Sequence, residues 1–302
     1  MFLIKIQSKS LGDNIASMHV IEKFRKSKTP NERIGVIAHN TEHYIKSYPM
    51  FDFYPLDKEP IKSKSTGEWI ISNSSYEYFQ RIFFKLHEGL IEGVARQLGI
   101  SDSDSVSTFP LIDYRSPKIK KEKIITFSMH STSQLKHWNF ENGWEILIDK
   151  LKNIGYKVIN VDYHESFGAQ GYFNPIPNNC IKRNGLELKN VSELIKKSEF
   201  FIGISSGLSW LAHSLETPVV MISGMSKPEC EFKKSILRIG AQSACRNCFT
   251  ERNNKFDPKD WLCCPEFKGT DRAFECSKSI NPQHVFESII LWIESDKKET
   301  FI

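Results

Sequence analysis

Two rhythms of apolar and polar residues run along the chain, and they change near its middle. The opening "MFLIKI" is an almost unbroken apolar run and predicts a buried strand. After the turn "SLGD", Ile15, Met18, Ile21 and Phe24 recur at helical spacing, so "NIASMHVIEKFRK" predicts a helix with Asp13 as its cap. "RIGVIA" reads as a second short strand, "WIIS" as another, and residues 76–98 as one long amphipathic helix. "SPKIKKEK", residues 116–123, is charged, contains Pro117 and reads as a linker between two domains, 1–115 and 124–302.

Beyond the linker, strand and helix alternate regularly. "IITFSMH", "YKVINVD", "EFFIGI" and "PVVMISG" predict strands, separated by the helices "NGWEILIDKLKNIG", "NVSELIKKS" and "SGLSWLAHSLE". That alternation implies an α/β fold whose parallel sheet is covered on both faces. Ligands bind such sheets at the carboxyl ends of strands, where loops lead into helices.

Three such loops carry suitable chemistry. "SLGD" offers one carboxylate, Asp13, beside a glycine that leaves room for a substrate. "HSTSQLKHW" offers the hydroxyls of Ser131 and Thr132, with Lys136 four residues on; hydroxyls and one ammonium suit a phosphate. "GISSGLSW" turns through Ser205, Ser206 and Gly207 into a helix, whose first amides and dipole suit a diphosphate. Each loop alone has a simpler structural reading: a helix cap, a solvated loop, or close packing through Gly207. Asp162 and Glu165, after "YKVINVD", are candidate acceptors for a ribose hydroxyl.

Composition narrows the class. The chain has 302 residues, 40% of them hydrophobic, and a net charge of +5 that is spread out rather than massed on one element, which argues against wrapping nucleic acid. The first residues lack the apolar core of a signal peptide, and no apolar run is long enough to span a bilayer, so a cytoplasmic protein is expected. Of seven cysteines, five fall in residues 245–276. In a reducing compartment such a cluster points to metal ligation rather than disulfides. Cys245 and Cys248 form a two-residue-spaced knuckle that Cys276 and either Cys263 or Cys264 complete as a tetrahedral site. With no histidine inside the cluster, the site reads as a structural module for a segment poor in apolar residues; spacing alone leaves iron and zinc both open.

The three loops in this order resemble the ADP-heptose-dependent heptosyltransferases. "LGD", "STSQLKHW" and "SSGLSWLAHSLETPVVMISG" are similar to that family's first loop, its Thr-Thr…Lys-His-Trp loop and its Asp-Thr-Gly-Leu-Ser-His-Leu segment, over residues 3–25 and 124–224. Ser205 replaces the aspartate of the lipopolysaccharide enzymes and Trp210 their histidine. With the cysteine cluster, these departures look like the autotransporter heptosyltransferases, which are usually longer than this chain.

The resemblance implies a GT-B-like architecture: two Rossmann-like domains with parallel sheets facing a cleft, the first on the acceptor side and the second binding the nucleotide sugar, with a metal-binding insert at 245–276. It implies inverting transfer of heptose from ADP-heptose to serine hydroxyls of an autotransporter, with Asp13 as base. Donor contacts fall to Ser131, Thr132, Lys136, Ser205, Ser206, Gly207, Leu208 and Trp210. It favours iron over zinc, with Cys264 as third ligand beside Cys245, Cys248 and Cys276. The expected partners are the donor, an autotransporter passenger and further copies of the chain, without nucleic acid. The rivals are transfer to lipopolysaccharide core, use of another nucleotide sugar, and a non-catalytic binding protein bearing a four-cysteine metal knob.

Overall fold

A computed structural model of the protein describes residues 1–85, 88–101, 112–114, 121–242, 245–249, 257, 259–295 and 300–301. The chain divides into two compact units, Met1–Arg115 and Ser116–Ile302. Residues 116–120 of the expected linker lie outside the described residues, and its end is already strand, since the first strand of the second unit starts at Glu122.

In the first unit β1 (Phe2–Ile6) leads to α1 (Leu11–Lys28), β2 (Ile34–Ala38) and β3 (Phe51–Pro55). The short strands β4 (Ile61–Lys62), β5 (Trp69–Ile71) and β6 (Ser74–Tyr76) make an antiparallel sheet of their own. β7 (Tyr78–Ile82) returns to the main sheet, whose order is β3-β2-β1-β7, all parallel, and α2 (Leu90–Gln97) packs on α1. The helical positions Ile15, Met18, Ile21 and Phe24 are all buried, as their spacing requires.

Two local readings are corrected. α1 begins at Leu11 with Ser10 as N-cap, so Asp13 sits in the first helical turn and is not the cap. Residues 76–98 are not one helix: among the described residues of this stretch only Leu90–Gln97 is helical, and residues 78–82 run in parallel register with β1 from Phe2↔Tyr78 to Ile6↔Ile82. Aromatic and β-branched side chains suit that strand, and its partner is 76 residues away, beyond the reach of any local periodicity.

The second unit holds β8 (Glu122–Phe127), α3 (Gly143–Asn153), β9 (Lys157–Asn160), the hairpin β10 (Ser166–Ala169) and β11 (Tyr172–Pro175), β12 (Ile181–Lys182), α4 (Leu188–Lys197), β13 (Ser198–Gly203), α5 (Gly207–Ser214), β14 (Val219–Ile222), β15 (Ile236–Ile239), α6 (Glu275–Lys278), α7 (Pro282–Glu294) and β16 (Thr300–Phe301). Its sheet is parallel throughout, in the order β12-β9-β8-β13-β14-β15-β16. β8 and β13 are therefore central neighbours, and their carboxyl ends open side by side. Trp144 stacks on Phe127 and Trp292 meets Phe200 edge-on, so α3 and α7 are fixed to the sheet by aromatic contacts. The cysteine-rich segment does not stand apart as a knob: Cys248, Cys264, Phe274 and Cys276 belong to this unit's own core.

Gly35 tests the first unit's packing. A Cβ there would lie 2.6 Å from Leu3 Cδ1 and 2.7 Å from Tyr76 Cζ, inside contact distance of two buried side chains. Gly35→Ala is expected to destabilise this unit by roughly 1–3 kcal/mol, read as a lower denaturant midpoint. An unchanged midpoint would show that the Leu3–Tyr76 contact yields freely.

Candidate active site

The site is built at the carboxyl ends of β8 and β13. The loop after β8 is shaped by Asp162, a buried carboxylate just beyond β9. It accepts from Ser128 Oγ at 2.6 Å, Met129 N at 2.9 Å, His130 N at 3.3 Å and Asn160 Nδ2 at 2.8 Å. Both of its oxygens are used by the protein, so the structure gives Asp162 a scaffolding role instead of the ribose contact; Glu165 is exposed. His130 Nε2 donates to Asn174 O at 2.7 Å, which ties the same loop to β11.

Past this anchor, Ser131 is half-buried, Thr132 exposed, and Lys136 half-buried in a 3₁₀ turn, Gln134–Lys136. The Gln134 amide pairs with the amide of Asn174 and accepts from Trp261 Nε1 at 3.2 Å, while its backbone N–H donates to Trp261 O at 3.0 Å. Asn139 Nδ2 reaches Ser277 Oγ and Trp138 Nε1 reaches Ile280 O, both at 2.8 Å. The loop that carries Lys136 is thus clamped by the hairpin on one side and by the cysteine-rich segment on the other.

His137 is the residue that sequence reasoning passed over. Its Nδ1–H donates to Ser133 O at 3.0 Å, which leaves Nε2 as an acceptor. That atom is buried without a hydrogen-bond partner, and burial lowers the imidazole pKa to about 4, so the ring is neutral. Ser133 Oγ, in the same loop, and Ser206 Oγ, at the start of α5, are also buried and unpartnered. Buried polar atoms are normally satisfied. A cluster of exceptions at adjacent strand ends marks where a hydroxyl-rich or anionic ligand would complete the bonding.

In the third loop Ser206 is the N-cap of α5, and Gly207 and Leu208 are its first residues, half-buried at the helix end. The tight strand–helix approach runs through Gly203, where a Cβ would lie 2.5 Å from Ser209 Oγ. Ser205 Oγ donates to Glu231 Oε1 at 2.5 Å. Trp210 is only 3% exposed and packs edge-on against Phe232, with ring centroids 5.2 Å apart. Asp13 stands on the first unit, where Ser8 Oγ donates to its Oδ2 at 2.5 Å and Asn14 ties the loop to Ser8 O, Ser10 O and His39 N.

The thiols sort into two groups. Cys245, Cys248, Cys264 and Cys276 lie within electrostatic reach of one another, and burial pushes Cys276 up to about 12 and raises Cys245 and Cys248. Cys263 instead faces Asp257, whose N–H it accepts at 3.2 Å, and Asp260 and Lys268. Among the described residues no group of three or more His, Cys, Asp or Glu side chains is arranged to hold a metal ion. The four thiols are neighbours, and as a soft donor set they suit iron or zinc, but they are not in a ligating arrangement. Cys180 and Cys230 are thiols outside the segment.

Residues 80–256 match the model of glycosyltransferase family 9 (heptosyltransferase). The chain is also 33% identical over 285 residues to the autotransporter heptosyltransferase Aah of Escherichia coli, covering 94% of this chain and 72% of Aah. The chain belongs to glycosyltransferase family 9. Within that family it is also similar to the autotransporter heptosyltransferase TibC of E. coli H10407, at 30% identity over 94% of this chain and 69% of TibC. A crystal structure of TibC, described as a dodecameric iron-containing heptosyltransferase in complex with ADP-D-β-D-heptose, superposes with a TM-score of 0.84 at 26% identity, over 97% of this chain and 76% of that one. An enzyme of the glycosyltransferase class, on an α/β fold with parallel sheets, is therefore what this family 9 chain is. No described helix is long and apolar enough to cross a membrane.

The neutrality of His137 has a measurable consequence. Its folded pKa lies below the ordinary histidine value near 6.5, so the unfolded chain binds the extra proton first as pH falls. Its contribution to stability is complete above pH 6.5 and is lost between there and about 4, roughly 3 kcal/mol in all. Side-chain NMR should show the His137 ring titrating near pH 4, with no change between pH 6 and 8. A midpoint near 6.5 would remove the neutral acceptor from this site.

Proposed function

We propose that this family 9 enzyme transfers heptose from ADP-heptose to serine hydroxyls of an autotransporter protein, with inversion at the anomeric carbon. The observation that carries the reading is the set of unsatisfied buried atoms at two neighbouring strand ends, His137 Nε2 and Ser133 Oγ in the loop after β8 and Ser206 Oγ at the start of α5. It is supported by the likeness to TibC, whose structure holds ADP-D-β-D-heptose.

In this reading the second unit binds the donor and the first presents the acceptor. Ser131, Thr132 and Lys136 hold the diphosphate with the amides of Ser206, Gly207 and Leu208, aided by the α5 dipole. Trp210 supports that helix from the core. As the glycosidic bond breaks, ADP gains negative charge, and these donors are already aimed at it. Asp13 takes the proton of the attacking hydroxyl on the face opposite the diphosphate, and the bond from Ser8 keeps its carboxylate in one orientation. We place the reaction in the cytoplasm, in a homo-oligomer, as TibC's dodecamer suggests.

The thiolates of Cys245, Cys248, Cys264 and Cys276, in residues 245–276, would hold a structural ion such as the iron described for TibC once they close on it. It would supply cross-linking and no chemistry to the transfer. Cys263, engaged elsewhere, is left out of the set. Zinc would suit the same thiolates.

Incubation of the protein with ADP-heptose and autotransporter passengers, read by intact mass, tests the reaction; labelling of lipopolysaccharide core instead, or turnover with another nucleotide sugar only, would replace the acceptor or donor named here. Asp13→Asn should cut transfer by about 10²–10⁴-fold with ADP affinity unchanged. Lys136→Ala should weaken ADP binding about tenfold or more, the worth of one charge-assisted hydrogen bond. Full transfer by the asparagine variant would sink the base assignment. Undiminished ADP binding by the alanine variant would move the diphosphate elsewhere.

The metal assignment has its own test. Serine at Cys245, Cys248, Cys264 or Cys276 should release about one metal ion per chain, measured by elemental analysis, while Cys263→Ser retains it. Full metal content without Cys248, or loss only with Cys263, would overturn the ligand set.

A further inference from the structure

The two positions at which this chain departs from the lipopolysaccharide-type pattern, Ser205 and Trp210, meet one short segment of the protein, Glu231 and Phe232. Trp210 packs edge-on against Phe232, and Phe232 stacks flat on His213 with centroids 4.0 Å apart. Phe232 is thereby fixed against α5, and its neighbour Glu231 is delivered to the amino-terminal end of that helix, where Ser205 Oγ donates to Oε1. Ser226 Oγ donates to the same oxygen at 3.2 Å, and Ser226 is itself held by Arg238 Nη2. Glu231 is only 5% exposed.

A buried carboxylate is costly, and two serine hydroxyls need only a neutral acceptor such as a glutamine. The negative charge therefore has to be explained. It would repel a diphosphate at the same helix end, so its use must lie toward a hydrogen-bond donor. Both serines fall on Oε1, and among the described residues none is bonded to Oε2, whose acceptor capacity is left for a ligand.

We propose that Glu231 is the specificity-determining carboxylate of this chain: it supplies, from a different segment, the charge that Ser205 lacks, and it accepts from adjacent hydroxyls of the donor sugar. The inference rests on the function proposed above. Trp210 and Phe232 position it, and Ser205 and Ser226 orient it.

The experiment compares the affinities of ADP and ADP-heptose by calorimetry. Glu231→Gln keeps the shape and an acceptor for both serines, but loses the charge. ADP-heptose should bind about tenfold or more weakly, while ADP binds as well as before or better, so the preference for the sugar-bearing ligand collapses. Ser205→Ala, which removes one of the two hydroxyls that orient Glu231 and buries nothing new, should shift the preference in the same direction by a smaller factor, and it decides the matter if the glutamine variant does not fold. An unchanged ratio in whichever variant folds overturns the assignment. Failure of the wild-type protein to bind either ligand overturns the proposed function instead, and this inference with it.

Discussion

The geometry of the site depends on a single buried carboxylate. Asp162 takes hydrogen bonds from Ser128, Met129, His130 and Asn160, so the chain leaving β8 must turn where those groups converge. Uncompensated, a buried charge of this kind costs several kcal/mol; bound to four donors, it is among the stronger devices available for fixing a loop. Everything downstream, from Ser131 to His137, inherits its position from that turn. Asp162 thus fixes the loop from behind, in the way that outer hydrogen bonds fix functional groups elsewhere.

The clamp on the far side of the loop gives the cysteine-rich segment a second meaning. Trp261 lies two residues before Cys263 and three before Cys264, and it holds Gln134 through its indole N–H and its backbone carbonyl. Ser277, next to Cys276, holds Asn139. A segment so poor in apolar residues cannot stand alone, and it does not: three of its cysteines and Phe274 complete the core beneath the sheet. Whatever holds those thiols together therefore also holds the Lys136 loop. This integration speaks against a separate binding knob, since a knob would keep its ligands clear of the core.

What the sequence disclosed was local. The alternation of β8, α3, β9, α4, β13, α5 and β14 is written in short runs of one periodicity, and the loops after β8 and β13 fall where those runs change. What it concealed was made by distant partners. β7 is a strand because β1 lies beside it, and no periodicity in residues 76–98 reports that. Asp162 works across 33 residues to Met129, Gln134 across 127 to Trp261, and Glu231 across 26 to Ser205. His137 falls inside a legible motif, yet its neutral, unsatisfied Nε2 exists only because the fold buries it. Ser10 displaces Asp13 as cap for the simplest reason: the helix starts at Leu11, ahead of the run from Ile15 that announces it.

The charge layout at the two strand ends has a direction. Lys136 stands in the 3₁₀ turn of the loop that follows β8, while Glu231 is held at the entry to α5, after β13. The same two loops carry neutral groups, His137 and the hydroxyls of Ser133 and Ser206, that neither attract nor repel a net charge strongly. A ligand that is anionic at one end and rich in hydroxyls at the other is oriented by this polarity before any shape complementarity acts, because reversing it would set phosphate against carboxylate and leave the ammonium facing neutral oxygens. The substitution of serine for aspartate at position 205 then becomes intelligible as a relocation. The charge is moved off the rigid turn onto Glu231, whose longer side chain and two serine contacts let one carboxylate oxygen be fixed while the other is kept for the ligand.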